Sequence, residues 1–153
     1  MPKFIADKML GRLAKWLRFM GFDVIEAKRE GDEDLHVLAL QEERVILTRD
    51  RILAQAIASD CSLLIPHESL DDQIRFVVHA LEISAESVSE QILTRCSSCN
   101  TLLVARHLSE VEERVPDYPR RHKSRFWECS TCHRVFWEGT HYDRIQKVIR
   151  GLL

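Results

Sequence analysis

Two CxxC pairs, "CSSC" at Cys96 and Cys99 and "CSTC" at Cys129 and Cys132, are separated by 29 residues and restrict this chain more than any other feature. Four thiolates in two such pairs suit tetrahedral zinc. The neighbouring stretches "TLLVAR", "RFWEC" and "RVFWEG" read as short strands, which with the two pairs make a zinc ribbon. Disulfides are disfavoured in a cytosolic chain, and a thioredoxin-type redox centre uses one CxxC inside an α/β unit. A rubredoxin-like iron site is the remaining alternative. Against it, Asn100 and His133 stand where glycine usually follows the second cysteine of each pair. Cys61, beside an apolar run, reads as an inert core thiol.

The first half has a different pattern. "KFIA" (3–6), "DVIEA" (23–27), "RVILT" (44–48) and "SLLIP" (62–66) are short runs rich in Val, Ile and Leu, and helix-length segments lie near 8–20, 33–43, 50–58 and 70–82. This β-α alternation predicts an α/β fold with a parallel sheet flanked by helices, followed by the small β zinc ribbon. Residues 1–90 carry 11 basic and 17 acidic side chains, net −6, whereas 91–153 carry 11 basic and 7 acidic, net +4. The asymmetry suggests two units with different tasks, 1–90 and 91–153, the second ending in a helix. A chain of 153 residues that is 45% hydrophobic suits such small globular units. No apolar stretch approaches the roughly 20 residues of a membrane span. "MPKFIADKML" lacks a signal-peptide core, so a cytoplasmic location is expected.

In parallel β-α units, functional groups gather beyond the carboxyl ends of the strands. Asp7 follows "KFIA" and Asp50 follows "VILTR", while "GDEDL" sets Asp32, Glu33 and Asp34 at the start of the second helix. Asp71 and Asp72 open the last helix of this half. Carboxylates crowded into one cleft repel one another unless a cation or protons are bound. Magnesium or manganese suits oxygen ligands, and in pairs such ions assist phosphodiester displacement. The competing reading is helix capping, worth about 0.5–2 kcal/mol per residue. It suffices for Asp32, Asp71 and Asp72, and for Asp34 both readings stand. A phosphoacceptor domain would need paired acids after its first strand, where Lys8 follows Asp7 instead.

In "KMLGRLAKWLRFMG", Met9, Leu10, Leu13, Trp16, Leu17 and Met20 share an arc expected to face the core. Lys8, Arg12, Lys15 and Arg18 fall opposite, a basic stripe that starts beside Asp7 and suits a phosphate backbone, or is simply a solvated face. Between the cysteine pairs, "YPRRHKSRFW" sets Arg120, Arg121, Lys123 and Arg125 among Tyr118, Phe126 and Trp127. Cations interleaved with aromatics suit single-stranded nucleic acid. A solvated loop is the alternative.

The stretches "FIADKMLGRLAKWLRFMGFDV", "RVILTRDR", "RCSSCN" and "FWECSTCHRVFWEGTH" together resemble the Mut-seven C-terminal RNase family over essentially the whole chain. The resemblance implies a PIN-like nuclease core with a zinc ribbon, its metal-binding acids falling on Asp7, Asp34 and Asp50. A fourth acid would be Asp71 or Asp72, with no motif to choose between them. The family's "GSH"-like stretch is "EGTH" here, so His141 would face nucleic acid or brace the ribbon. Thr48, Arg49 and Arg51, around Asp50, are placed to meet phosphate or to neutralise the carboxylates.

The expectation is a metal-dependent ribonuclease: Asp7, Asp34 and Asp50 hold Mg²⁺ or Mn²⁺, Cys96, Cys99, Cys129 and Cys132 hold structural Zn²⁺, and the ribbon helps bind single-stranded or structured RNA. The alternative is a non-catalytic RNA-binding adaptor on a PIN-like scaffold. A toxin-like module is disfavoured because it would not require the ribbon. Neither a membrane partner nor a particular protein partner is implied.

Overall fold

The computed structural model of the chain describes residues 1–27, 32–57 and 60–151, without the side chains of 32–34. The elements run β1 (Lys3–Ala6), α1 (Gly11–Phe19), β2 (Asp23–Glu26), α2 (Asp32–Glu42), β3 (Arg44–Thr48), α3 (Arg51–Ala56), β4 (Ser62–Leu64), α4 (Leu70–Ala80) and α5 (Ala85–Gln91). There follow β5 (Leu103–Arg106), α6 (Leu108–Val111), α7 (Asp117–His122), β6 (Phe126–Cys129), β7 (Val135–Trp137) and α8 (Thr140–Arg150).

Strands β1 to β4 form one parallel sheet in the order β2-β1-β3-β4, with Phe4 level with Val24 on one side and Val45 on the other. A parallel sheet is covered on both faces, which is why its strands are near-continuous apolar runs. Successive side chains therefore enter opposite cores. Phe4, Ala6 and Leu47 join α1, α4 and α8 on one face. Ile5 and Ile46 join Ala39 of α2 and Leu53 of α3 on the other. Helix α8 contributes Ile145, Val148 and Ile149 to the same core as Phe4 and Leu13.

The expected core arc of the first helix holds for Leu10, Leu13, Leu17 and Met20, all buried, and Trp16 packs partly buried against them. Met9 departs from it and is 70% exposed. The reason is local: Lys8–Leu10 form a 3₁₀ turn, and α-helical spacing begins only at Gly11.

The second sheet is antiparallel, β5-β6-β7, with Leu103 opposite Cys129 and Phe126 opposite Trp137. Val111, Val115 and Phe126 make its small core. With four cysteines brought together at its end, this unit is consistent with a zinc ribbon. Residues 118–122, the start of "YPRRHKSRFW", for which a solvated loop is the alternative reading, lie in the short helix α7. No helix among the described residues is long and apolar enough to cross a membrane.

Candidate functional site

The order of the parallel sheet reverses between β1 and β3, and such a reversal leaves a crevice at the carboxyl edge where ligands bind. Asp7 directly follows β1 and Asp50 lies two residues past β3, so the two acids flank that reversal. Thr48 joins them. Its buried hydroxyl donates to Asp7 Oδ2 at 3.0 Å and accepts from the Asp50 N–H at 2.9 Å. Asp7 Oδ1 accepts from the Lys8 N–H at 2.7 Å. Asp50 caps α3, its Oδ1 accepting from the N–H groups of Ile52 at 2.8 Å and Leu53 at 3.3 Å. No described residue donates to Asp50 Oδ2.

Both acids thus cap helical turns at the carboxyl edge of the parallel sheet. Among the described residues they make a pair, and the only convergent group of three or more metal-type ligands is the four cysteines. Asp34 lies in the first turn of α2, and its side chain falls outside the described residues. Of the fourth-acid candidates, Asp71 pairs with Arg144 at 2.7 Å, and Asp72 accepts from the Ser69 hydroxyl at 2.6 Å.

The cysteine centre is better defined. The four Sγ atoms lie within 4.8 Å of one another, and Cys96 and Cys132 are 3.7 Å apart. Zn–S bonds of about 2.3 Å put tetrahedral sulfurs about 3.8 Å apart, so the donor set fits zinc. Each pair folds as a knuckle, with the Cys99 N–H directed at Cys96 Sγ (3.4 Å) and the Cys132 N–H at Cys129 Sγ (3.5 Å). Asn100 and His133 follow with φ of 64° and 59°, adopting the left-handed turn that glycine more often supplies. Hydrogen bonding to Cys132, with burial and the Cys96 charge adding to it, pushes the Cys99 thiol up to about 12. Burial also opposes ionisation of Cys129, yet the amides of Cys132 and Thr131 bring it down to about 7. Four thiolates so close require a cation.

The expected basic stripe is shorter than its sequence suggests. Lys8, Arg12 and Lys15 are exposed, but Arg18 is buried. Its guanidinium donates to the Val24 carbonyl at 2.7 Å, to Glu26 at 3.1 Å, and to the carbonyls of Ser97 and Ser98 at 3.5 and 3.3 Å. Arg18 ties α1 to β2 and to the first knuckle, a contact that a helical projection cannot reveal. In the segment between the knuckles, Arg120 pairs with Asp117 and Arg125 with Glu138. Arg121 and Lys123 have no acidic partner among the described residues. Arg49 lies 3.7 Å from Glu68. His141 rests against Trp16, ring centres 5.4 Å apart. Nothing in the sequence marks the buried Thr48 bridge beyond its place two residues before Asp50.

A parallel α/β sheet with two acids at its strand reversal is joined here to a four-cysteine unit. The Mut7-C RNAse domain family model matches residues 2–149, and the chain belongs to that family. RNA is accordingly its substrate or partner. No curated protein and no solved structure matches the chain.

Proposed function

We propose that the chain is a metal-dependent ribonuclease that hydrolyses RNA phosphodiester bonds. The observation that carries this reading is the Asp7–Thr48–Asp50 bridge across the strand reversal. Asp7, Asp34 and Asp50 would hold Mg²⁺ or Mn²⁺, whose hard character suits carboxylate oxygens such as the Asp50 Oδ2 that receives no hydrogen bond from the described residues. When bound, such ions stabilise the attacking and leaving oxygens of the displacement. Thr48 fixes the Asp7 carboxylate. Lys8, Arg12 and Lys15 draw the phosphate backbone along α1 toward it, with Arg49, Arg121 and Lys123 adding positive charge.

Residues 1–90 act as the nuclease core. Residues 91–153 act as the ribbon, with structural Zn²⁺ on its four cysteines and a last helix that packs back on the core. Four reduced thiols suit a cytoplasmic setting. One observation favours the adaptor reading: Asp7 and Asp50 both serve as caps, which needs no metal.

Titration with Mn²⁺ by calorimetry, beside cleavage of mixed RNAs with Mn²⁺ or EDTA, separates the readings. Asp50→Asn keeps the cap but loses charge. Metal uptake and cleavage should both vanish in Asp7→Asn and Asp50→Asn. Wild-type cleavage rates in both variants would show that these acids are not the centre, whereas neither Mn²⁺ uptake nor cleavage by the wild-type protein would leave the adaptor as the answer.

A further inference from the structure

A cavity of about 430 Å³ opens between α1, the first knuckle and the corner joining β7 to α8. Trp16, Phe19, Phe136, Trp137 and His141 line it, together with the exposed Lys15 and Arg134. Among the described residues no acid lines it, in a chain with 24 acids against 22 Lys and Arg. The rings are held in place. Arg144 packs over Trp16 at 4.9 Å and is itself fixed by Asp71 at 2.7 Å. At Gly139, a Cβ would lie 3.0 Å from Trp137 Nε1, so the absence of a side chain there leaves the indole its space. Phe19 and His141, 6.1 Å apart, continue the wall.

Packing of the ribbon against the core would explain aromatic residues at this seam, but a packed seam closes on itself. Here the rings border an open volume, within the range of ligand pockets and large enough for a planar heterocycle. Aromatic faces beside two cations, with no carboxylate from the described residues, match a base with its phosphates. The position agrees. Lys8 in the 3₁₀ turn, then Arg12 and Lys15 on α1, lie along the segment that runs from Asp7 to the cavity. At about 2 Å per residue through the 3₁₀ turn and 1.5 Å per residue from Gly11, Lys15 stands at most roughly 14 Å along the chain axis from Asp7.

We propose that this cavity binds one unpaired nucleobase of a single-stranded RNA segment a few nucleotides from the bond to be cut. The base stacks on the indoles of Trp16 and Trp137, and its flanking phosphates pair with Lys15 and Arg134. The inference rests on the reading of the chain as a ribonuclease and adds the substrate feature it recognises. A paired base cannot enter, so the site selects unpaired segments. Both units build the cavity, so it requires the ribbon docked on the core.

The test is fluorescence anisotropy of a labelled RNA oligonucleotide of about twelve residues, without added Mg²⁺ or Mn²⁺, against an abasic strand of the same length. Wild-type protein should prefer the strand with bases. Trp137→Leu and the exposed-site variant His141→Ala should each weaken that strand, Trp137→Leu by about 5- to 150-fold, the loss of one base stack, and leave the abasic strand within about twofold. Lys15→Ala and Arg134→Ala should weaken both strands alike, each flattening the log–log salt slope by about 0.7. Zinc content and melting temperature certify the fold of each variant. Tight wild-type binding that neither Trp137→Leu nor His141→Ala alters would overturn the base site and leave the nuclease reading standing. Equal affinity for the two strands would overturn it too. A protein dimer dissolved by Trp137→Leu would make this face a self-contact instead. Binding of neither strand would remove the RNA reading and the base site together.

Discussion

The side-chain amide of Asn100 donates to Asp23 Oδ1 at 2.8 Å, tying the first cysteine knuckle to the edge strand of the parallel sheet. Its Oδ1 also accepts from the Val24 N–H at 3.1 Å, satisfying a main-chain donor at that edge. Asn100→Gly keeps the left-handed turn and removes only these bonds. It should cost about 1–3 kcal/mol, since Val24 loses its acceptor. Asn100→Ala should cost about 1 kcal/mol more, because φ is 64° there. In thermal melts this ranks wild type above Gly above Ala, with Gly about 2–12 °C below wild type. A glycine variant as stable as wild type would show that the bridge contributes nothing.

Asp23 also makes stability depend on pH. Burial raises its pKa, but the Arg44 guanidinium and the Asn100 amide, aided by Arg95, hold it below the ordinary 3.8. A depressed folded value means that the ionised carboxylate stabilises the fold above pH 3.8, and that this contribution is lost as pH falls through the lower folded value. Urea midpoints of wild type and Asp23→Asn should differ by a constant amount near neutrality and converge below pH 3.8. Acid would release any zinc held by the four cysteines from both proteins, so the difference between them is the informative quantity. A gap that persists unchanged into that range would assign the role of Asp23 to packing.

Thr48→Val keeps shape and burial but leaves Asp7 Oδ2 and the Asp50 N–H without their shared partner. Stability should fall by about 1–3 kcal/mol. If Thr48 orients the acid pair, kcat should drop while KM changes little, and Thr48→Ser should restore both. Cleavage by Thr48→Val at the wild-type rate would detach the bridge from the chemistry.

Zinc should be present at one ion per chain by elemental analysis. Chelation, or Cys129→Ser, should melt the sheet β5-β6-β7 and shift the emission of Trp127 and Trp137, leaving the parallel sheet folded. Iron in the purified protein, or a folded ribbon without metal, would contradict this.

The basic segment between the knuckles should contribute less than its four cations suggest. Arg121→Ala with Lys123→Ala should flatten the salt slope of RNA binding by about 1.4, or 0.7 each. Adding Arg120→Ala and Arg125→Ala should change it little further, because Asp117 and Glu138 already neutralise those side chains. A further drop as large as the first would mean that the pairs open when RNA binds.

The parallel strands were legible because burial on both faces writes them as unbroken apolar runs, as in Phe4-Ile5-Ala6 and Ile46-Leu47. The cysteine knuckles were legible because their spacing alone serves the geometry. Most of what the sequence concealed involves segments distant along the chain, with Met9 the local exception. Met9 escaped a helical projection through a 3₁₀ turn, and Arg18 looked solvated because its cover, Ser97 and Ser98, lies some 80 positions away. The acids at the strand ends could be named, but their connection through Thr48 needed the pairing of β1 with β3. The aromatic cavity is assembled from residues 15–19, 97 and 134–141, which no local pattern joins.

The packing of α8 on the first core has a consequence for biosynthesis. Ile145, Val148 and Ile149 cover the same interior as Phe4 and Leu13, so that layer stays incomplete until the segment around residue 149 has left the ribosome. Until α8 docks, the α1 face keeps apolar surface uncovered, which offers a chaperone a binding face. Helix α8 then closes the interior that begins at β1.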